Sequence, residues 1–279
     1  MKEYTPLIAQ ALAEDIGSGD HTSLSCIPYD AVGKAQLLIK QNGIIAGVEI
    51  ALEVFRIVDS NLKINVLIED GESVTVGDIA LTVEGRSQSI LIAERLALNY
   101  MQRMSGIATH TAYLKSLIGS EKAQLLDTRK TTPNNRIFEK MAVKIGGGVN
   151  HRFGLYDMVM IKDNHIDYAG GIAPAISKTR KYLADNDLNI QLEIEARSLE
   201  EVEIILNSEK VDRIMLDNFS YLDLTQAVKM IGNYAKTEAS GGITEETIEA
   251  YAKCGVDYIS VGALTHQIQS LDLSLKAIK

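Results

Sequence analysis

Apolar residues recur with two different periods along the first third of the chain. Leu7, Ile8 and Leu12 follow Thr5-Pro6 at helical spacing, and Pro is well tolerated in the first turn of a helix. The alternating pattern predicts strands over 32–41, 62–68 and 79–85, whereas 47–59 has an apolar stripe typical of a helix. This order of elements predicts an N-terminal α/β sandwich domain.

The next stretch is rich in apolar residues and predicts two consecutive helices, 87–104 and 106–119. Ser105-Gly106 lies between them, and we expect the first helix to end there. Arg103 directly precedes this break, where a helix can end at a binding site. Arg95 lies on the same side of the helix, and a salt bridge with a nearby acid is its simpler explanation.

After Lys122 the hydrophobic pattern changes, and short β-rich runs alternate with helical runs. The predicted strands are 123–127, 158–162, 190–195, 213–217, 235–242 and 256–262. The predicted helices are 136–145, 171–184, 199–206, 222–231 and 245–253. This alternation is typical of parallel strands joined by crossover helices.

Each predicted strand ends in a residue capable of chemistry, and these are Asp127, Lys162, Glu195, Asp217, Ser240 and Gly262. In a β/α barrel the strand ends converge on one mouth, where the active site is built. A doubly wound open sheet also puts its site there and is the second candidate. The strand count favours an irregular, incomplete (β/α) barrel. We predict a sandwich over 1–108, joined by 266–279, and a catalytic barrel over 109–265.

Composition narrows the functional classes. The net charge of -9 opposes general nucleic-acid binding, which requires a broad basic field. Cys26 and Cys254 lack metal or redox spacing, and two reduced thiols are the favoured interpretation. We expect no membrane segment and no signal peptide, because no apolar run is long enough and the N-terminus is acidic. A cytoplasmic location is the resulting prediction.

Cations are scarce in this acidic chain and concentrate between residues 125 and 165. They are Arg129, Lys130, Arg136, His151, Arg152 and Lys162. Arg and Lys together suit an anion such as carboxylate or phosphate. A triple glycine at 146–148 suggests that the backbone approaches a ligand closely there.

Two late loops combine serine with glycine. Ser240-Gly241-Gly242 and Ser260-Val261-Gly262 each follow a predicted strand. Backbone N–H groups in such loops often hold a phosphate, although glycine can also serve only a tight turn. The repetition in successive units favours phosphate.

The carboxylates allow more than one interpretation. Glu193 and Glu195 face the same way on one strand. Glu195 and Asp217 could bind Mg²⁺ through water or bind sugar hydroxyls, or Glu195 could instead pair with Lys162 or Lys236. Lys162 also permits Schiff-base chemistry, but the surrounding cations favour a multiply charged anion. The acidic loop 14–23 with His21 could hold a metal, and a capped surface loop is favoured.

Several motifs together carry a family resemblance. They are EDIGSGDHTS, NYMQRMSGIAT, LLDTRKTTP, GGGVNHRFGLYDMVMIKDNHI, EIEA, MLDNF, EASGGI and VGALTH. The chain resembles the quinolinate phosphoribosyltransferase family over nearly its whole length. The resemblance implies decarboxylating phosphoribosyl transfer from phosphoribosyl pyrophosphate to quinolinate, giving nicotinate mononucleotide for NAD synthesis. It also implies Mg²⁺ and a homodimer or larger assembly with shared sites, and no nucleic-acid or membrane partner.

The resemblance also implies a role for individual residues. The implied catalytic residues are Lys130, Lys162, Glu195 and Asp217, the last two handling the ribose and Mg²⁺. The implied quinolinate pocket comprises Arg103 from a neighbouring subunit with Thr128, Arg129, Lys130, His151 and Arg152. The implied 5-phosphate site is Ser240, Gly241, Gly242, Ser260, Val261 and Gly262. The chain departs from the family at Asn134-Asn135, where Gly-Leu is usual.

Three other functions stay open from the residues alone. A paralogous branch of this family is linked to molybdenum uptake, but it lacks the HRFGLYDM and IKDNH motifs in this form. A nicotinate-using transferase would not need so many cations. A non-catalytic phosphate-binding barrel would not need every strand end to carry a reactive residue.

Overall fold

The computed structural model describes residues 2–278, which form eleven helices and twelve strands. The helices are α1 (Thr5–Ile16), α2 (His21–Cys26), α3 (Val48–Val58), α4 (Ser87–Ile118), α5 (Arg136–Ile145), α6 (Asp163–Ala169), α7 (Ile172–Asp185), α8 (Leu199–Leu206), α9 (Tyr221–Ile231), α10 (Ile248–Lys253) and α11 (Ala263–His266). The strands are β1 (Val32–Ile39), β2 (Gly43–Ile44), β3 (Lys63–Val66), β4 (Ser73–Val74), β5 (Ile79–Arg86), β6 (Gln124–Leu126), β7 (Met158–Ile161), β8 (Gln191–Ala196), β9 (Arg213–Asp217), β10 (Lys236–Ser240), β11 (Tyr258–Ser260) and β12 (Leu273–Ile278). No helix within 2–278 combines the length and apolarity needed to span a bilayer.

The chain divides into two compact units, and neither is a single stretch of chain. The first comprises residues up to 112, 131–147 and 264 onward, and the second comprises 113–130 and 148–263. The predicted domain limits, 1–108 with 266–279 and 109–265, stay a prediction. The structure differs from that division mainly at 131–147, because α5 and the segment before it group with the first unit.

The first unit is built on an antiparallel sheet with the strand order β12-β1-β5-β3. The C-terminal strand β12 pairs along the edge of β1, with Leu275 opposite Leu37. Helix α3 buries Ile50 and Val54 of its predicted apolar stripe, together with Phe55, whereas Ile57 and Val58 of that stripe are half-buried. This mixture of a small antiparallel sheet and helices confirms the predicted α/β sandwich class.

The predicted break at Ser105-Gly106 is wrong, because α4 is one continuous helix. The Ser105 hydroxyl accepts a hydrogen bond from Ala46 N–H (2.9 Å) and donates one to the Ala46 carbonyl (3.1 Å). A Cβ at Gly106 would overlap the carbonyl of Gln269. Both residues therefore serve close packing within the first unit, and tertiary contacts override the local signal for a helix end.

The second unit is an all-parallel, six-stranded sheet with the order β6-β11-β10-β9-β8-β7. Each strand from β7 to β11 lies beside its neighbour in sequence, and β6 lies beside the last of them. This cyclic order is that of a barrel and not of a doubly wound sheet, whose order reverses in the middle. In the described residues no strand pair joins β6 to β7, so the barrel is incomplete, as predicted.

Local backbone geometry accounts for two features noted in the sequence. The 14–23 loop contains the start of α2, whose Asp20 cap accepts a hydrogen bond from Ser23 N–H (3.1 Å). This hydrogen bond is the one expected of a capped surface loop, the interpretation favoured from the sequence. Asn134 has a φ of 64°, a left-handed conformation that Asn tolerates better than most residues, so it can replace the glycine usual at this position.

Candidate active site

Parallel pairing brings the strand-end residues to one edge of the second unit. Ser240 lies in register with Asp217, and Ala196 lies in register with Leu216 one residue before Asp217. Neighbouring strands are about 4.8 Å apart. Glu195, Asp217 and Ser240 therefore follow one another around the same edge, where barrel enzymes build their active sites.

Lys162 and Glu195 form an ion pair between the ends of β7 and β8. Lys162 also caps α6, since its N–H donates to His165 Nδ1 (2.9 Å). The other candidate partner, Lys236, pairs instead with Asp257 at 3.3 Å. The Lys162 side chain is 44% exposed, so its ammonium can reach both Glu195 and a ligand.

Asn218 connects the end of β9 to the glycine loop after β10. Its Nδ2 donates to Asp217 Oδ2 (2.8 Å), and its backbone N–H donates to the Ser240 carbonyl (2.9 Å). Its own φ is 57°, the left-handed conformation that Asn tolerates better than most residues. The asparagine thus orients the Asp217 carboxylate and fixes the start of the loop.

The two glycine loops differ in what their backbone does. Gly241 and Gly242 have φ values of 101° and 58°, and neither N–H donates a hydrogen bond to another part of 2–278. Such N–H groups can bind a phosphate. In the other loop, Val261 N–H is bonded to the Leu126 carbonyl (3.0 Å), and the buried Ser260 hydroxyl lies 3.5 Å from the Ala239 carbonyl. Gly262 follows directly and is half-buried.

Arginine and lysine side chains lie on the segments beside this edge. Arg129 and Lys130 are exposed, and Lys130 N–H donates to Thr128 Oγ1 (3.0 Å). Arg152 is half-buried, and its guanidinium donates to the Met158 carbonyl (3.2 Å). Burial and the nearby charge of Arg129 lower the pKa of Arg152. Two cations that repel each other are both stabilised when an anion binds between them.

His151 is buried, unlike the other cations of the predicted pocket. Its Nε2 lies 2.9 Å from Glu193 Oε2 and 3.4 Å from Glu238 Oε2, and both carboxylates are fully buried. Arg213 donates to Glu238 Oε2 at 2.8 Å. The structure therefore places the predicted substrate ligand His151 within a buried cluster of charged groups, which we call the inner cluster (His151, Glu193, Arg213 and Glu238).

The hydrogen bonds identify the tautomer of His151. Arg152 N–H donates to Nδ1 at 2.6 Å, so the ring proton is on Nε2, facing the carboxylates. Burial lowers the pKa of His151, but the two carboxylates of Glu193 and Glu238 raise it by more, so that the pKa rises to about 9. A second ring proton would break the Arg152 hydrogen bond, so the geometry supports the neutral ring. Burial and the charge of Glu238 raise the pKa of Glu193, which lets Glu193 carry a proton instead.

Three members of the inner cluster also have the spacing of metal ligands. His151, Glu193 and Glu238 place one ligand atom each within 4.8 Å of one another, and they form the only such group within 2–278. The Arg213 guanidinium occupies one side of Glu238, and a second cation beside it would be repelled. The Arg213–Glu238 ion pair, with the His151 ring beside both carboxylates, explains the cluster better than a metal does.

Asp127 has a role that the strand-end pattern did not reveal. It is fully buried, and its carboxylate accepts hydrogen bonds from His151 N–H (2.8 Å) and Asn150 Nδ2 (2.6 Å). Asp127 thus holds the segment that carries His151 and Arg152. Sequence reasoning could not find this role, because Asp127 and His151 are 24 positions apart.

Arg103, the remaining residue predicted to bind substrate, belongs to the first unit. It forms an ion pair with Glu139 at 2.6 Å, and its side chain is 31% exposed. An open cavity of about 260 Å³ beside it is lined by apolar residues, including Met104 and Phe138, and by Asn99 and Asn135. Arg95 is exposed and has no ion pair within 2–278, so its predicted salt bridge is absent.

The fold and this edge define a class of protein: an incomplete parallel β/α barrel, with cations and carboxylates along one edge of its sheet, and an α/β sandwich. The family model for the quinolinate phosphoribosyl transferase C-terminal domain matches residues 107–276. The N-terminal domain model of the same family matches residues 20–105. The chain belongs to the quinolinate phosphoribosyltransferase family, which confirms the resemblance seen in its motifs.

Individual relatives are similar to this chain over almost its entire length. The chloroplastic nicotinate-nucleotide pyrophosphorylase [carboxylating] of Arabidopsis thaliana is 45% identical over 97% of this chain and 81% of its own length. A probable enzyme of the same name from Bacillus subtilis is 41% identical over 96% of this chain and 91% of its own. The structure of the nicotinate-nucleotide pyrophosphorylase from Francisella tularensis superposes with a TM-score of 0.92 at 42% identity, covering 98% of this chain and 95% of that one.

The glycine loop after β10 provides a matched pair of substitutions. A Cβ at Gly241 would overlap Asn218 Oδ1 and lie 2.9 Å from its backbone nitrogen, whereas a Cβ at Gly242 meets nothing within 4 Å. Gly242 has a φ of 58°, in the left-handed region where an alanine costs about 1 kcal/mol, whereas the φ of 101° at Gly241 lies outside that region, so backbone strain and the overlap with Asn218 both act against Gly241→Ala. We expect Gly241→Ala to weaken phosphate binding at least about tenfold more than Gly242→Ala, measured by calorimetric titration with inorganic phosphate. Equal affinities would show that contact with Asn218 does not shape the loop.

Proposed function

We propose that this chain transfers the phosphoribosyl group of phosphoribosyl pyrophosphate to quinolinate and releases CO₂, forming nicotinate mononucleotide and pyrophosphate. It would thus be a decarboxylating pentosyltransferase of NAD biosynthesis. One observation carries the proposal: Lys162, Glu195 and Asp217 follow adjacent parallel strands, next to the Gly241-Gly242 loop. A phosphate, a ribose and an anionic acceptor each find suitable groups along this edge.

Different residues have different roles in the proposed transfer step. Arg129, Lys130 and Arg152 bind the two carboxylates of quinolinate and hold its pyridine nitrogen in line with the anomeric carbon. The C–N bond forms as the C–O bond to pyrophosphate breaks, and Glu195 and Asp217 stabilise the positive charge growing on the ribose. Lys162 lies between the two substrates and exchanges its Glu195 partner for a substrate oxygen.

Decarboxylation follows from the charge of the product ring. Once its nitrogen carries the ribose, the pyridine ring is cationic and stabilises the electron pair left when the adjacent carboxylate departs as CO₂. Water then supplies the proton that replaces CO₂. No nucleophile paired with a base is required for either step, which fits an edge that carries Arg, Lys and carboxylates.

Mg²⁺ is the cofactor we propose. Glu195 and Asp217 supply carboxylate oxygens at neighbouring strand ends, and Mg²⁺ typically combines one or two carboxylates with waters and phosphate oxygens. These residues therefore fit the ion, directly or through water. When bound, Mg²⁺ neutralises charge on the pyrophosphate.

We also propose a homodimer or larger assembly in which Arg103 completes the quinolinate site of a neighbouring subunit. The support is that Arg103 is partly exposed beside an open cavity of the first unit. A cytoplasmic location is proposed from the sequence, and Cys26 and Cys254 are both free thiols.

An assay with two acceptors tests the proposed reaction. Purified protein is given phosphoribosyl pyrophosphate, Mg²⁺ and either quinolinate or nicotinate, and both nicotinate mononucleotide and CO₂ are followed. We expect product with quinolinate only, together with one CO₂ per nucleotide. Product from nicotinate without CO₂ would place the chain among non-decarboxylating transferases, and no product from either acceptor would reject the transferase proposal.

Arg129→Ala tests whether Arg129 binds quinolinate and not phosphoribosyl pyrophosphate. Losing an exposed cation that faces a dianion should lower kcat/KM for quinolinate about a hundredfold or more, while phosphoribosyl pyrophosphate binding measured by calorimetry changes little. Lys181→Ala is the control, because it removes one equally positive charge from an exposed ion pair on α7. Equal loss of binding for both substrates would contradict the assignment of Arg129.

The carboxylate pair is tested through metal dependence. We expect the double variant Glu195→Ala, Asp217→Ala to lose the saturable Mg²⁺ dependence of its residual turnover, since both proposed oxygen donors are gone. Rates are measured over a titration of MgCl₂ at fixed substrate concentrations. A half-saturation concentration equal to that of the unmodified protein would rule out this pair as the metal site.

A further inference from the structure

Glu139 holds Arg103 along one edge of its guanidinium group. Glu139 Oε1 accepts hydrogen bonds from Arg103 Nε (2.8 Å) and Nη2 (2.6 Å). Nη2 also donates to Thr132 Oγ1 (2.9 Å) and to the Thr265 carbonyl (3.0 Å). The Nε–Nη2 edge of Arg103 is therefore fully engaged by its own chain.

The opposite edge of Arg103 is left for a ligand. Within 2–278, Nη1 donates no hydrogen bond, and the side chain is 31% exposed, whereas that of Glu139 is 1% exposed. An arginine held in this way has one orientation instead of many, so less conformational entropy is lost when an anion binds.

The second oxygen of Glu139 secures a different segment. Oε2 accepts a hydrogen bond from Thr132 N–H at 3.2 Å. Thr132 lies two residues after Lys130 in the chain, on the segment that leads from the cation pair 129–130 to α5. One buried carboxylate thus binds both Arg103 and the backbone of Thr132.

We propose that Glu139 is a positioning residue for acceptor binding: it fixes Arg103 so that Nη1 faces a carboxylate of the substrate, and it anchors the 131–135 segment. This inference rests on the proposed function, because it takes the anion bound by Arg103 to be the pyridine dicarboxylate. Glu139 itself does not touch the substrate.

A purely electrostatic effect of Glu139 predicts the opposite result. A negative charge 2.6 Å from Arg103 weakens the attraction of Arg103 for a dianion, so removing that charge should tighten acceptor binding. If orientation dominates, removing the charge should weaken binding. The direction of the change in KM therefore separates the two effects.

Glu139→Gln is the decisive variant. Its carbonyl oxygen can still accept from Arg103, but its NH₂ group faces Thr132 N–H with a donor instead of an acceptor. We expect KM for quinolinate to rise about tenfold while KM for phosphoribosyl pyrophosphate changes less than about twofold.

The control is Glu53→Gln. Glu53 is also buried in the first unit, pairs with Arg56 at the same distance of 2.6 Å, and accepts from Thr5 Oγ1. It shares no contact with Arg103, so this variant should lose comparable stability and keep both KM values.

An assay of the unmodified protein distinguishes failure of the proposed function from failure of the inference about Glu139. If it makes no nicotinate mononucleotide, the proposed function fails. If it is active and Glu139→Gln leaves KM for quinolinate unchanged or lowers it, only the positioning role of Glu139 is overturned.

A second variant covers the case in which Glu139→Gln does not fold. Thr132→Val removes the hydroxyl acceptor of Arg103 Nη2 at an exposed position of similar volume. We expect a rise of about threefold in KM for quinolinate, with an unchanged melting temperature. An unchanged KM in this variant would count against the inference as well.

Discussion

The inner cluster of His151, Glu193, Arg213 and Glu238 is the constraint on which the second unit depends. Glu193 and Glu238 are fully buried on strands of a parallel sheet, where an uncompensated charge would be strongly destabilising. Arg213 donates to Glu238, and the imidazole N–H of His151 faces both carboxylates. Because Asp127 binds the backbone of His151, and Arg152 N–H binds its Nδ1, this compensation also fixes the segment that carries Arg152.

The cations of the candidate site fall into two groups. Lys162 and Arg103 are half-buried, and each is held by a carboxylate of its own unit; the side chains of Arg129 and Lys130 are more exposed, on a connecting segment. A half-buried cation held by a carboxylate is oriented before a ligand arrives, and an exposed cation adds attraction over a longer range.

Short-range patterns predicted much of the fold. The bounds of α5 and α8 match their predicted ranges, because apolar spacing and capping residues act within a few positions. The strand ends at Lys162, Glu195 and Asp217 were also found from the sequence, because Lys162 and Asp217 follow continuous apolar runs and Glu195 ends an alternating one. The break predicted at Ser105-Gly106 failed, since a serine and a glycine can pack another segment as readily as they end a helix. Helix α6 has only seven residues, directly after a strand, and shows no apolar period of its own.

The sequence by itself therefore determined the class of the protein, its alternating elements and the residue types at its site. Only the tertiary structure decided which of those residues face one another. Strand order buries His151 against Glu193 and Glu238, pairs Glu195 with Lys162 instead of Lys236, and places Asp127 under the segment 150–152. These contacts join residues that are 23 or more positions apart, and local periodicity carries no information about such pairs.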